Sequence, residues 1–192
     1  MKVRRQLAAL ESMILTPLKG VQKEAWHRAP PGRWSVAQVL SHLALGLDAV
    51  VEKLEERRDR TDLTRRASPK QHLLRHLMLG IGRIPPGRRH VEGTTPVDRP
   101  EPELVMAQFR MAIQRLEALC QTLPAEQQQR VFVRHPMLGD LNLPEWVRFF
   151  FVHNRHHAQQ ISVRLRWLER QRRRDKPPKG QPERRTRRKV RR

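Results

Sequence analysis

The chain has 192 residues, 38% of them hydrophobic, and one cysteine, Cys120. That length allows one domain with a sizeable core plus appendages, and a lone thiol excludes an internal disulfide framework and suits a reducing cytosol. The formal charge of +21 points towards anionic partners, but residues 171–192 hold nine Arg and three Lys against Asp175 and Glu183, a net of +10, which leaves +11 for the other 170 residues.

The start, MKVRRQLAALESMILTPLKG, has no long uncharged apolar core and no small-residue cleavage site, so no signal peptide is expected. No stretch approaches the roughly 20 apolar residues of a membrane span. A cytoplasmic protein is therefore expected. Periodicity predicts a first helix from about Arg4 to Met13, with Leu7, Leu10 and Ile14 along one side. Pro17 interrupts it or begins a continuation through Ala25. HRAPPGRW reads as a turn, and Ser35 stands where an N-cap belongs. The second helix, about Val36 to Arg58, has a broad apolar face that includes Val39, Leu40, Leu43, Leu47, Val51 and Leu54.

A shorter third helix is expected from Pro69 to Ile81, followed by a long loop, RIPPGRRHVEGTTPVDRPEP, rich in Pro and Gly. The fourth helix, about Glu101 to Leu123, carries Leu104, Phe109, Ile113, Leu116 and Leu119. LPAEQQQRVFVRHPMLGDLNL then reads as a connection with one short turn. The fifth helix, about Pro144 to Gln171, starts with a proline at its first turn, where a missing N–H costs nothing. Its stripe is Trp146, Phe150, His153, His157, Ile161 and Leu165 or Trp167. Four long helices with long connections predict an all-α four-helix bundle over residues 1–170. Residues 171–192, with one aliphatic residue and no aromatic, read as a disordered basic tail.

The stretch FFFVHNRHHAQQI, residues 149–161, holds three histidines within five positions. Residues four apart on a helix stand one above the other, so His153 and His157 reach one point on the inward stripe. His156 is turned about 100° from His157, towards the rim. On the second helix, His42 falls one turn after Val39, on the buried side. An i, i+4 pair from one helix and one histidine from another can give a metal three nitrogen ligands. Hydrogen-bonded core histidines would show the same spacing, so both readings stand at this point. A second pair, His72 and His76, lies at the edge of its helix's apolar face without an evident third ligand.

WSVAQVLSHL, followed far downstream by HPMLGDLNLPEWVRFFFVHNRHHAQQI, resembles the DinB/YfiT-like superfamily of metal-dependent enzymes. The matching residues are Trp34-Ser35 and His42, then His135-Pro136, Gly139, Leu143 to Trp146, and His153, His156, His157 and Gln160. The resemblance covers about residues 5 to 168. It implies a four-helix bundle with a divalent metal, often nickel or zinc, on His42, His153 and His157. Trp34 and Trp146 are expected to pack at helix entrances, Gly139 to allow a positive φ in its turn, and Gln160 to hydrogen-bond a ligand imidazole or stand as a bundle-edge amide.

Three imidazoles with an open coordination position form the catalytic rather than the structural metal pattern. The resemblance implies an enzyme acting on a small molecule, either a hydrolase or a thiol S-transferase using a low-molecular-weight thiol, and a homodimer is consistent with it. No general base is evident: Asp48 lies off the face of His42, while Asp140 and Glu145 sit near the mouth of the distal helix. Arg134 and Arg148 are candidates for attracting a carboxylate-bearing thiol. The reading from a different class is a nucleic-acid-associated basic protein, with the tail binding non-specifically through charge and the bundle as scaffold. No dedicated nucleic-acid motif accompanies it.

Overall fold

Apolar residues recurring every three or four positions give a segment one face that must be covered, and four long helices solve this together. The computed structural model describes residues 2–60, 62–82, 84 and 93–175. Helix α1 is Lys2–Leu15, followed by two short 3-10 turns, Thr16–Leu18 and Lys23–His27. Helix α2 is Val36–Glu56, α3 is Pro69–Arg75 with a π-helical continuation His76–Ile81, and α4 is Pro102–Thr122. A short α5, Ala125–Arg130, leads to strands β1, Phe132–His135, and β2, Gly139–Asn142, and then to the long α6, Leu143–Arg174.

The four long helices are α1, α2, α4 and α6. α2 packs chiefly on α4 and α1 on α6, while α1 with α4 and α2 with α6 close the ring. The successive helices α1 and α2 therefore stand on one diagonal of the bundle and α4 and α6 on the other. Neither diagonal can be bridged by a tight turn, which is why long connections precede α2 and α6. The shared core holds Leu10 and Ile14 of α1, Leu40, Leu47 and Leu54 of α2, Phe109 and Leu116 of α4 and Ile161 of α6, all 2% exposed or less. Each such side chain contributes about 1.5–3 kcal/mol by leaving water.

Local signals set the helix starts. Ser35 accepts the Gln38 N–H at 3.2 Å and Gln38 Oε1 accepts the Ser35 N–H at 2.9 Å, a reciprocal cap that fixes where α2 begins. Ser68 and Gln71 repeat it at α3. Strands β1 and β2 pair antiparallel, with Val133 opposite Leu141 and His135 opposite Gly139. Gly139 has φ +75°, and a Cβ there would lie 2.7 Å from that of Ala67. Only glycine fits, because the hairpin is laced to the linker before α3: Asp140 N–H donates to Arg66 O at 3.0 Å, and Arg66 N–H to Asp140 Oδ2 at 2.7 Å.

Three expectations need correction. The stretch read as a plain connection with one turn contains α5 and the hairpin. Leu104 is exposed and Val105 is buried in its place, because Val105 lies one turn before Phe109 whereas Leu104 is about 140° off that face. Helix α6 continues through Arg174, so residues 171–174 of the expected tail are helical. Residues 176–192 of that tail, like residues 83 and 85–92 of the Pro- and Gly-rich loop, lie outside the described residues. Among the described residues no helix is long and apolar enough to cross a membrane.

Candidate metal centre

Helix α6 is aimed by its own start. Asn142 accepts the Glu145 N–H at 3.0 Å, Glu145 Oε2 accepts the Asn142 N–H at 3.0 Å, and Pro144 occupies the first turn. From that fixed origin the stripe of Trp146, Phe150 and Ile161 turns inward, and it carries His153 and His157 with it. The apolar face of α2 does the same for His42. His42 is 6% exposed and His157 7%, while His153 keeps part of its side chain accessible.

The three imidazoles meet. One ring nitrogen from each lies within 4.8 Å of the others, and the Nε2 atoms of His153 and His157 are 3.1 Å apart. Two nitrogens on one tetrahedral zinc ion stand roughly 3.3 Å apart, so the pair already has the spacing that a shared ion requires. Among the described residues this is the one set of three His, Cys, Asp or Glu side chains placed to hold an ion.

Hydrogen bonds on the outer nitrogens fix which atoms face inward. His42 Nδ1 lies 2.9 Å from the Thr94 carbonyl oxygen. A carbonyl only accepts, so the proton is on Nδ1 and the Nε2 lone pair is left for the centre. Gln160 orders the other side: its Nε2 lies 2.9 Å from His156 Nε2 and its Oε1 lies 3.2 Å from His157 Nδ1. The amide N–H donates to His156 and the amide oxygen accepts from His157, which again turns an Nε2 lone pair towards the centre. Burial, reinforced by the neighbouring His157 and His42, holds His153 well below its ordinary pKa. Burial also pulls His157 down to about 3, against the favourable Gln160 hydrogen bond. His153 and His157 are thus unprotonated at neutral pH, as ligands must be.

Aromatic rings wall the cluster. Phe149 stacks on His153 at 5.3 Å and 16°, and the Trp34 ring lies 5.1 Å from His42. His135, buried and held down to about 4 by desolvation, accepts the Met137 and Leu138 N–H groups on Nδ1 at 3.1 and 3.2 Å. It shapes the hairpin turn and packs on Phe149 at 4.7 Å. Trp146 packs as expected, with its Nε1 donating to Val133 O at 3.2 Å.

Sequence reasoning missed two parts of this arrangement. Thr94 acts through its backbone carbonyl from within a loop, so no side-chain pattern announces it. Arg164, buried seven residues after His157, donates to the Trp34 and Gln160 carbonyls. Its signal was a lone arginine on the inward stripe, where Leu165 or Trp167 was expected instead.

Other candidates lie elsewhere. Asp48 pairs with Arg115 of α4, Asp140 binds the linker, and Glu145 caps α6 while pairing with Arg65 and Arg75. Arg134 stands beside Asp140 at 3.5 Å. Arg148 donates to Leu79 O at 2.8 Å on a face of α6 about 140° from His153. His72 and His76 are exposed.

Four helices around three converging histidines define a helical-bundle protein with a centre suited to a divalent ion. The sequence profile of the DinB superfamily matches residues 6–161, and the chain belongs to that family. Its fold is similar to that of YfiT from Bacillus subtilis, with a TM-score of 0.60 and 16% sequence identity over 87% of each chain. That protein is described as a probable metal-dependent hydrolase with an unusual four-helix bundle topology. Among curated proteins, no significant sequence match is found.

Proposed function

We propose that the protein is a cytoplasmic metal-dependent enzyme of the DinB/YfiT-like type, with zinc or nickel held by His42, His153 and His157. The observation that carries this reading is the convergence of three imidazoles whose outer nitrogens are engaged at two of the three by a backbone carbonyl and a glutamine amide. Hydrogen-bonded core histidines need no such common focus. The description of YfiT as a probable metal-dependent hydrolase supports the same reading. A divalent ion with three nitrogen ligands keeps an open position and acidifies water or a thiol that reaches it.

The chain's own residues supply the rest. Thr94 and Gln160 hold the orientation of His42 and His157, while Trp34 and Phe149 pack against His42 and His153. Asp48, Asp140 and Glu145 are committed to ion pairs and caps away from the cluster, so none of them serves as a general base. A water or thiol acidified by a bound ion would then release its proton to solvent rather than to one of these carboxylates. That favours chemistry needing little further base assistance, hydrolysis of an activated small molecule or transfer of a low-molecular-weight thiol to an electrophile.

Metal content of untagged protein purified without chelator tests the assignment. About one equivalent of zinc or nickel is expected in the wild type, lost in His42→Ala and in the double variant His153→Ala, His157→Ala. No metal in the wild type, and none taken up on addition of either ion, would return the histidines to the role of core polar residues.

A further inference from the structure

A cleft of about 610 Å³ opens between α1, α3 and the start of α6, lined by Gln6, Arg65, His72, Arg75, Glu145 and Arg148 among others and by none of the three clustered histidines. Its charges do not balance. Three guanidinium groups share one carboxylate, and Glu145 is already engaged: Oε2 accepts the Asn142 N–H and pairs with Arg65, and Oε1 lies 3.6 Å from Arg75. Arg148 spends its Nε on the Leu79 carbonyl. Among the described residues, two positive charges therefore remain without a counter-charge in a concave site.

Arg75 is the innermost cation, with 13% of its side chain exposed. Its Nη2 donates to His72 Nδ1 at 2.6 Å, and its Nη1 is buried with no acceptor among the described residues. Burial, then the neighbouring Arg65, lowers its pKa, and Glu145 only partly offsets this. Gln6 adds a neutral donor to the wall. It is 6% exposed and lines the cleft. A carboxamide lining a cationic cleft can donate its N–H to an anionic oxygen.

We propose that this cleft binds a small oxyanion, a carboxylate or phosphate group, through Arg65, Arg75, Arg148 and the Gln6 amide. Guanidinium forks match the two oxygens of such a group, and the volume suits a small molecule. The site is separate from the three-histidine centre, on another face of α6.

Calorimetric titration of the full chain with inorganic phosphate, and separately with citrate, tests this at about 0.15 M salt, where exposed basic groups are screened. Saturable one-to-one binding of at least one probe is expected. Arg75→Gln should weaken it about tenfold or more and Gln6→Leu about threefold or more. Arg134→Gln, in a different arginine-lined groove, should leave it unchanged. Gln6→Leu replaces the amide by an apolar side chain of similar size, so it reports even where Arg75→Gln fails to fold. Metal content should be the same in all these variants, which separates this result from the fate of the metal centre. Tighter phosphate binding assigns the site to phosphorylated ligands, tighter citrate binding to polycarboxylates. No saturable binding of either probe, or binding that survives both substitutions, overturns the proposal.

Discussion

Gln160 presents a different end of its amide to each of two imidazoles, its N–H to His156 and its oxygen to His157. The carbonyl of the same residue accepts from Arg164, whose guanidinium also reaches the Trp34 carbonyl. A side chain that could lie loose on the bundle edge is thereby held, and it decides which nitrogen of His157 faces inward. Removing the amide while keeping the volume, as in Gln160→Leu, leaves both histidine tautomers open. Metal affinity should fall about 10–100-fold, as is usual when the partner of a ligand imidazole is lost. Competition against a chromophoric chelator measures it, with circular dichroism to show that the helices persist. Gln160→Glu keeps an acceptor for His157 and should bind metal closer to the wild type. An unchanged affinity in the leucine variant would mean that the amide plays no part in orienting the ligand.

Helix α6 is the element on which the candidate centre depends, and its origin is pinned by Asn142. That side chain caps Glu145 N–H and donates from Nδ2 to Gln129 Oε1 at 2.7 Å, with only 6% of the residue exposed. Asn142→Ala removes the cap and leaves Gln129 without its partner, so a loss of about 1–2 kcal/mol in unfolding free energy is expected from urea titration; a loss below a few tenths would show that packing alone sets the helix start. The histidines of this element were legible in the sequence, because a 3.6-residue period places His153 and His157 on the stripe of Trp146 and Phe150, and the same period places His42 among Val39 and Leu43. The N-cap at Ser35 was legible by its residue type, though its reciprocal partner Gln38 was not. The hairpin was not: β1 and β2 are four residues each, too short for alternation to stand out, and the turn between them carries no Asn-Gly. Nor was the partner of His42, since a backbone carbonyl leaves no trace in side-chain periodicity. Leu104 misled because the first turn of α4 offers two adjacent apolar residues, and only counting back four from Phe109 selects Val105.

At the scale of the whole molecule, the diagonal arrangement of α1 against α2 and of α4 against α6 gathers buried imidazoles from α2, α6 and the hairpin into one region. This makes folding itself sensitive to protons. In the unfolded chain a histidine takes up a proton near pH 6.5, whereas in the fold His135 resists until about 4 and His157 until about 3, both through burial. The unfolded state therefore binds more protons over this range, and the stability these groups contribute is present above about pH 6.5 and lost as pH falls towards 4 and then 3. For His135 alone the loss is about 3 kcal/mol. Metal-free protein should accordingly show a steady drop in urea midpoint between pH 7 and 4.5, a window that ends before most carboxylates protonate. His135→Gln, which keeps an acceptor for the turn, should flatten part of that slope. Protein loaded with zinc should start from a higher midpoint and fall more steeply, because protons and the ion compete for the same lone pairs. A midpoint that stays level from pH 7 to 4.5 in the metal-free protein would mean that these imidazoles accept protons without unfolding, and the centre would then be far more open to water than its burial indicates.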